Sequence, residues 1–389
     1  MLTKSIVELI CAKNVPSRTV LPGQDDDARI DFILVSALRL AVFSPAVYPW
    51  SFELFMEQPI RPAKVLNIVI VAHRGRLSFE ATLFALSLRH TNPDFAGSFF
   101  VATPAHNPLW PQDPSLPEGP LHDLLGQQGV EFVEFKCRDF GQAYPFGNKI
   151  EALDVLPVGD PFVFFDSDTL ITGDLNDVPF DFARAGASLR REGTWPKTSK
   201  ETPNHATIWR ALYNRFGLDF AKSLDCSYDA TDWRRYLYFN AGFFYYRCPK
   251  VFGQLNRAFA VSIRNSPPSA LAGQTLDPWL DQVALALVIH ALGGGRDSLP
   301  SGFLDGRHSC HYRLIPLLYA RESQAVVTLL EDLTTPDHVK TVFKIHPPYR
   351  RLIYERQGQR LRQMFDQAAL PETEQMIRKT IKQTGLWLR

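Results

Sequence analysis

The spacing of apolar and polar positions divides the chain at about residue 60. Upstream, an apolar stretch over residues 30–42 follows the acidic run Asp25-Asp26-Asp27, the pattern of a helix with negative charge in its first turn. Residues 1–60 are therefore expected to form a helical extension. Downstream, short runs apolar on both faces recur at residues 65–72, 98–102 and 162–165, and residues 130–135 alternate. Between them the spacing predicts helices. One has Ser78 as N-cap and Phe79, Leu83 and Leu86 on one face, and stops at Asn92-Pro93; another spans 148–156. Prolines at 104, 108, 111, 114, 117 and 120 mark an irregular surface excursion. Strand and helix in alternation predict an α/β fold with a mostly parallel central sheet, right-handed crossovers and flanking helices.

Beyond residue 186 the pattern loosens. A strand is expected at 187–189, and residues 190–235 mix polar positions with Trp195, Trp209, Tyr213 and Trp233. Residues 238–246 read as a strand broken at Asn240-Ala241-Gly242, where a glycine marks close approach of a ligand or another part of the chain. Asp277-Pro278 opens a helix to about residue 289, with Asp281 and Gln282 near its start. Residues 342–345 read as a last short strand ending on His346. Residues 351–389 form a basic helical tail; from Arg350 onward there are nine Lys/Arg against four Asp/Glu. Such a tail suits either a solvated helix or an anionic membrane surface carrying a lipid-linked acceptor.

Composition narrows the classes. The formal net charge is +1, which removes any global case for nucleic acid as partner. The five cysteines are odd in number and scattered, as reduced thiols in a cytoplasmic protein would be. His308, Cys310 and His311 lie close together, but without a second ligand pair they do not make a zinc motif.

The chemistry concentrates in the segment PFVFFDSDTLITGD, residues 161–174. Its apolar run ends abruptly at Asp166-Ser167-Asp168. Ligands of parallel α/β sheets bind outside the carboxyl ends of the strands, and two carboxylates there are costly unless a cation joins them. Mn²⁺ or Mg²⁺ carrying phosphate oxygens fits, with a strand-end histidine, His346, as a neutral nitrogen ligand. Lys149, in the first turn of its helix, adds positive charge close by.

In order, FFDSDTLITGDL, YFNAG, Leu280-Asp281-Gln282 and the late His346 resemble glycosyltransferase family 8, over roughly residues 64–351. The resemblance implies a GT-A fold and a nucleotide-diphosphate sugar donor, usually UDP-linked. It implies Mn²⁺ (or Mg²⁺) bound by Asp166, Asp168 and His346, and transfer with retention of configuration to a glycan or lipid-linked acceptor. By position, Asn240, Ala241 and Gly242 would meet the donor sugar, and Asp281 and Gln282 would lie by the reacting carbon. Lys149 and Ser167 would reach the donor, and Ala72 and His73 would border its base. Two departures stand out. His346 is followed by Pro-Pro-Tyr-Arg-Arg where the family has glycine and then Lys-Pro-Trp, and the first strand ends in Ala-His-Arg-Gly where many members have an acidic or hydroxyl residue.

Two other classes are weighed against this. Asp-x-Asp is also found in haloacid-dehalogenase phosphatases, with Asp166 as nucleophile, but Leu170 stands where those enzymes have Thr or Val and no downstream acidic pair is found. A non-catalytic sugar- or metal-binding module is the third class. It would turn over no nucleotide sugar.

Overall fold

The computed structural model describes residues 66–388, apart from 189, 191 and 200. The expected extension over residues 1–60, with its acidic run, lies outside the described residues. The first crossover is β1 (Asn67–Val71), α1 (Arg76–Thr91) and β2 (Phe99–Pro104), and α2 (Pro120–Gly126) leads to β3 (Val130–Phe135). A short α3 (Asn148–Glu151), extended by a 3₁₀ turn at Ala152–Val155, precedes β4 (Phe162–Phe165), β5 (Thr169–Ile171) and β6 (Gly186–Ala187). Then come α4 (His205–Arg215), β7 (Phe243–Tyr246), α5 (Pro249–Asn265), α6 (Leu280–Ala291) and β8 (Ser309–His311). Helices α7 (Ile315–Arg321), α8 (Gln324–Thr334), α9 (Asp337–Phe343), α10 (Gln357–Arg362) and α11 (Glu374–Gln383) complete the described chain.

The main sheet has the order β3-β2-β1-β4-β7-β6. Its first four strands are parallel, while β7 pairs antiparallel with β4 and β6 antiparallel with β7. This is the mixed α/β, mostly parallel architecture that the apolar runs predict. The period of two sorts each strand onto both faces. Val69, Phe164 and Phe244 pack with Phe252 of α5 on one side; Ile68, Ile70, Phe165 and Phe243 pack with Phe84 of α1 on the other. Phe164, Phe244 and Phe252 stack with ring centroids 4.6 and 5.1 Å apart, filling the floor beneath the carboxyl end of β4.

Several expectations change. Ser78 is not the N-cap of α1: the helix starts at Arg76 behind Gly75 (φ 99), and the Ser78 hydroxyl donates back to the Gly75 carbonyl. The broken strand over 238–246 is a strand only at Phe243–Tyr246, and α6 begins at Leu280, three residues after Asp277. Residues 342–345 are no strand. Val339, Val342 and Phe343 are buried together at helical spacing, so the segment ends α9.

Residues 351–388 are bound to what precedes them. Leu352, Leu361, Phe365, Ile377 and Ile381 share one core with Leu317 of α7, Leu330 of α8 and Phe343 of α9. Glu374, at the start of α11, accepts from Arg313 (3.0 Å), Arg321 and Arg378. Arg321 also donates to the His311 carbonyl at 3.4 Å, so this clamp braces β8. Among the described residues no helix is long and apolar enough to cross a membrane.

Burial pushes the Glu374 carboxyl up, but Arg313, Arg321 and Arg378 outweigh it and hold the group at about 2, against an ordinary 4.5. A depressed carboxylate stabilises the fold above its unfolded value and loses that stabilisation as pH falls through the folded one. Glu374→Gln is therefore expected to lower unfolding free energy at pH 7 by about 2–3 kcal/mol. In urea titrations the gap between wild type and variant should close as pH drops from 4.5 towards 2. A gap that stays constant over that window would remove the clamp as the cause.

Candidate metal and donor site

Strand β4 ends in a charged knot. Asp166 and Asp168 leave the sheet, and β5 starts at Thr169, which pairs antiparallel with His311 of β8. That register carries the imidazole back beside the aspartates. His311 Nε2 lies 3.0 Å from Asp168 Oδ1 and 3.7 Å from Asp166 Oδ2. One ligand atom from each of the three lies within 4.8 Å of the others, the one such grouping among the described residues.

The third member is thus His311, not His346. The sequence pattern placed His346 at a strand end; the structure places it after α9. There its ring packs on Phe79 (4.6 Å) and Tyr349 (5.3 Å). Burial, then Arg76, lowers its pKa, so it stays neutral, and its Nδ1 is buried without a partner among the described residues. The signal for His311 was present as the second histidine of His308-Cys310-His311. Read only against a zinc pattern, it was set aside.

Lys149 is buried and spans the gap behind the cluster. Its Nζ lies 2.8 Å from Asp166 Oδ1 and 3.3 Å from Asp281 Oδ2, and donates to the Ala241 carbonyl at 3.3 Å. Burial works against its charge, but Asp166 and Asp281 outweigh it and raise its pKa. Asp281 is 3% exposed; burial raises its carboxyl, with Lys149 opposing. The Tyr144 hydroxyl lies 3.2 Å from Asp281 Oδ1 and 3.0 Å from the Pro278 carbonyl, and accepts from the Asp281 amide. Asp281 is thereby held at both oxygens. Gln282, next to it, has a buried Oε1 without a hydrogen-bond partner among the described residues.

Asn240, Ala241 and Gly242 form the back of the site. The Gly242 carbonyl accepts from the Asp166 amide at 2.9 Å, and Asn240 Oδ1 accepts from the Gly242 amide at 2.8 Å. A Cβ on Gly242 would lie 2.6 Å from His311 Nδ1, so the glycine that breaks the strand makes room for the imidazole.

Two residues that the sequence reading did not single out sit at the front. Arg76 opens α1 and pairs with Glu80 one turn on, which is 2% exposed. Burial and the nearby Asp168 push the Glu80 carboxyl well up, against Arg76. Asp168 runs the other way: burial would raise it, but His311, Arg76 and Lys149 together bring it below the ordinary range. A cavity of about 360 Å³ opens over this knot, lined among others by His73, Arg76, Phe146, Lys149, Asp166 and Asp168. Ser167 lies on its wall too, and Ala72 is fully buried at the end of β1, behind His73.

The carboxylate pair after the central strand, with His311 of β8 beside it, lies at the carboxyl edge of a mostly parallel sheet, and sequence comparison gives the class: a glycosyltransferase. The chain belongs to the Rhodobacterales glycosyltransferase domain family, which it matches over residues 68–293, more than half its length. Membership of that family favours sugar transfer over the phosphatase and binding-module readings. No curated protein matches the chain in sequence. Among solved structures, it is similar to the galactosyltransferase LgtC in complex with donor and acceptor sugar analogues, at 15% identity and TM-score 0.33, over 59% of this chain and 72% of that one. The bifunctional glycosyltransferase WbbM is similar at 14% identity and TM-score 0.38, over 74% and 52%. A mannosyltransferase from Pyrobaculum calidifontis, in complex with GDP-Man and Mn²⁺, is similar at 11% identity and TM-score 0.26, over 86% and 97%.

The resemblance implies that Lys149 reaches the donor. Its burial between two carboxylates adds a structural role to that expectation. Lys149→Ala leaves Asp281 uncompensated in the interior and is expected to cost about 3–5 kcal/mol of stability, read from urea denaturation at pH 7. A loss below about 1 kcal/mol, the range of an exposed pair, would show that Lys149 does not hold the carboxylates together.

Proposed function

We propose that this chain transfers a hexosyl group from a nucleoside-diphosphate sugar, UDP-linked, to a hydroxyl of a glycan or lipid-linked acceptor, with Mn²⁺ or Mg²⁺ at the cluster. The observation that carries the reading is the convergence of Asp166, Asp168 and His311 at the end of β4. Two carboxylates and one imidazole, with no thiolate, make an oxygen-rich donor set that suits a hard cation such as Mn²⁺. Bound there, the cation would neutralise charge on the departing diphosphate.

The protein's own groups supply the rest. Lys149 fixes Asp166 and Asp281 in place, and Arg76 brings a further cation to the cavity wall for the donor phosphates. His73 and Phe146, which is 46% exposed, offer ring faces to the base at the cavity mouth. Gln282 Oε1, lacking a partner among the described residues, is the acceptor for a donor-sugar hydroxyl. Asn240, Ala241 and Gly242 act one layer back, orienting Asp166, Lys149 and His311. Retention of configuration fits Asp281: bound by Lys149 and Tyr144, it is no free base for the acceptor. An inverted product linkage, read from the anomeric NMR coupling constant, would contradict that part.

The metal bridge is tested by thermal shift with UDP alone, Mn²⁺ alone and both. A ligand specific for the native state adds about 2.7 kcal/mol at 100 times its dissociation constant. UDP and Mn²⁺ together should raise the melting temperature by more than their separate shifts combined. Asp168→Asn and His311→Ala should abolish the excess, and His346→Ala should keep it. Equal stabilisation by UDP in chelator-treated and metal-loaded samples would rule the bridge out; loss of the excess in His346→Ala alone would reverse the ligand assignment.

Gly242→Ala offers a second check. The added methyl meets the His311 ring, so Mn²⁺ affinity should fall at least tenfold, measured by electron paramagnetic resonance of free Mn²⁺. Unchanged affinity would place His311 outside the coordination shell.

A further inference from the structure

Several cations from residue 350 onward have partners within the fold. Arg350 pairs with Glu355, Arg378 with Glu374, and Arg362 donates to the Tyr319 and Glu322 carbonyls. Arg356 and Arg360 do neither. With Lys340 and Lys344 of the α9 region they face one hollow of about 890 Å³ between α8, α9 and α10. None of these four makes an ion pair with a described residue, and Lys344 lies 5.6 Å over the Tyr354 ring. The one carboxylate in the lining, Glu331, is engaged: its Oε1 accepts from the Tyr319 hydroxyl and from Gln359 Nε2. Four cations against one carboxylate leave the hollow with an excess of positive charge, so the arrangement gains from an anion that enters it.

The neutral groups in the wall narrow the ligand. Thr335 donates its hydroxyl to the Glu331 carbonyl, Thr334 donates to Leu330, and Gln359 spends its amide on Glu331. Thr335, Gln359 and Gln363 add a hydroxyl oxygen and amide groups to the lining that can pair with ligand hydroxyls. A ligand that fits both sets carries anionic groups for the lysines and arginines and hydroxyls for these neutral groups, which is the chemistry of an acidic saccharide. The volume lies within the range of sites that enclose a small organic ligand, about 300–1,000 Å³, and a concave wall suits a glycan better than a flat bilayer.

We propose that this hollow, formed by Lys340, Lys344, Arg356 and Arg360 around Tyr354, is a non-catalytic binding site for an acidic saccharide. It is independent of the metal cluster and of the donor assignment. The test titrates the full chain, in chelator, with three probes: trigalacturonate, a sulfated trisaccharide and neutral maltotriose. At least one acidic probe should bind, with affinity falling as salt rises, and maltotriose should not. The double variant Lys344→Gln/Arg360→Gln should weaken that binding at least tenfold while Mn²⁺-dependent UDP binding stays at the wild-type level. Failure of both acidic probes overturns the proposal, as does binding that the double variant leaves intact. Phosphatidylglycerol vesicles provide the contrasting arm. Sedimentation with vesicles that the double variant loses, in the absence of saccharide binding, would assign the hollow to a membrane surface instead.

Discussion

Three carboxylates with little access to water meet at the carboxyl end of β4, and the surrounding structure exists to make that tolerable. Asp166, Asp168 and Asp281 would repel one another and resist desolvation in a low-dielectric interior. Cations arrive from separate places, Lys149 from α3 and Arg76 from the first turn of α1, and β8 brings the His311 ring beside Asp168. Lys149 joins Asp166 to the buried Asp281, while His311 faces Asp166 and Asp168. A lysine fixed so firmly lends its charge to the scaffold, which leaves Arg76, at 36% exposure, as the more available cation for a bound anion.

The apolar frame sets how well that knot is held. Stacked rings of Phe164, Phe244 and Phe252 fix the end of β4 against α5, so the backbone from which the aspartates spring has little freedom. The short β5–β8 ladder then determines where His311 falls. In an antiparallel pair a slip of one residue turns each side chain to the other face, so Thr169 opposite His311 is a condition of the cluster. The ladder is only three residues long. It is braced from outside by Arg321, which holds the His311 carbonyl and is itself held by Glu374 of the C-terminal helix.

This layering explains what could be read from the sequence. Signals that live on one element were legible: the apolar runs of β1 and β4, the Asn92 stop of α1, and the aspartates at a strand end. Signals that need two elements were not. His311 becomes a partner of Asp168 only through strand pairing across more than a hundred residues, and no local spacing announces that. His346 looked stronger because it follows an apolar run, but Val339, Val342 and Phe343 have helical periodicity when the window is widened by three residues. Lys149 lies beside Asp166, and its burial was invisible in the sequence, because only the fold brings Asp281 to it. Glu80 is the plainest case. Within a helix it reads as a solvated charge, yet it is 2% exposed because α1 lies against the site.

Gly242 shows how the two kinds of signal combine. A glycine beside a strand announces that something comes close, and here the visitor is the His311 ring, 2.6 Å from where a Cβ would stand. The same residue gives its carbonyl to the Asp166 amide, so a single backbone position sets the spacing between the histidine and the first aspartate. Asn240 fixes that position by accepting the Gly242 amide, and Ala241 turns its carbonyl to Lys149. The Asn-Ala-Gly triplet thus joins the cluster to the lysine behind it through three consecutive backbone groups. Its chemistry lies in those amides and carbonyls; a small residue at each of the last two positions is what lets the imidazole and the ammonium approach them.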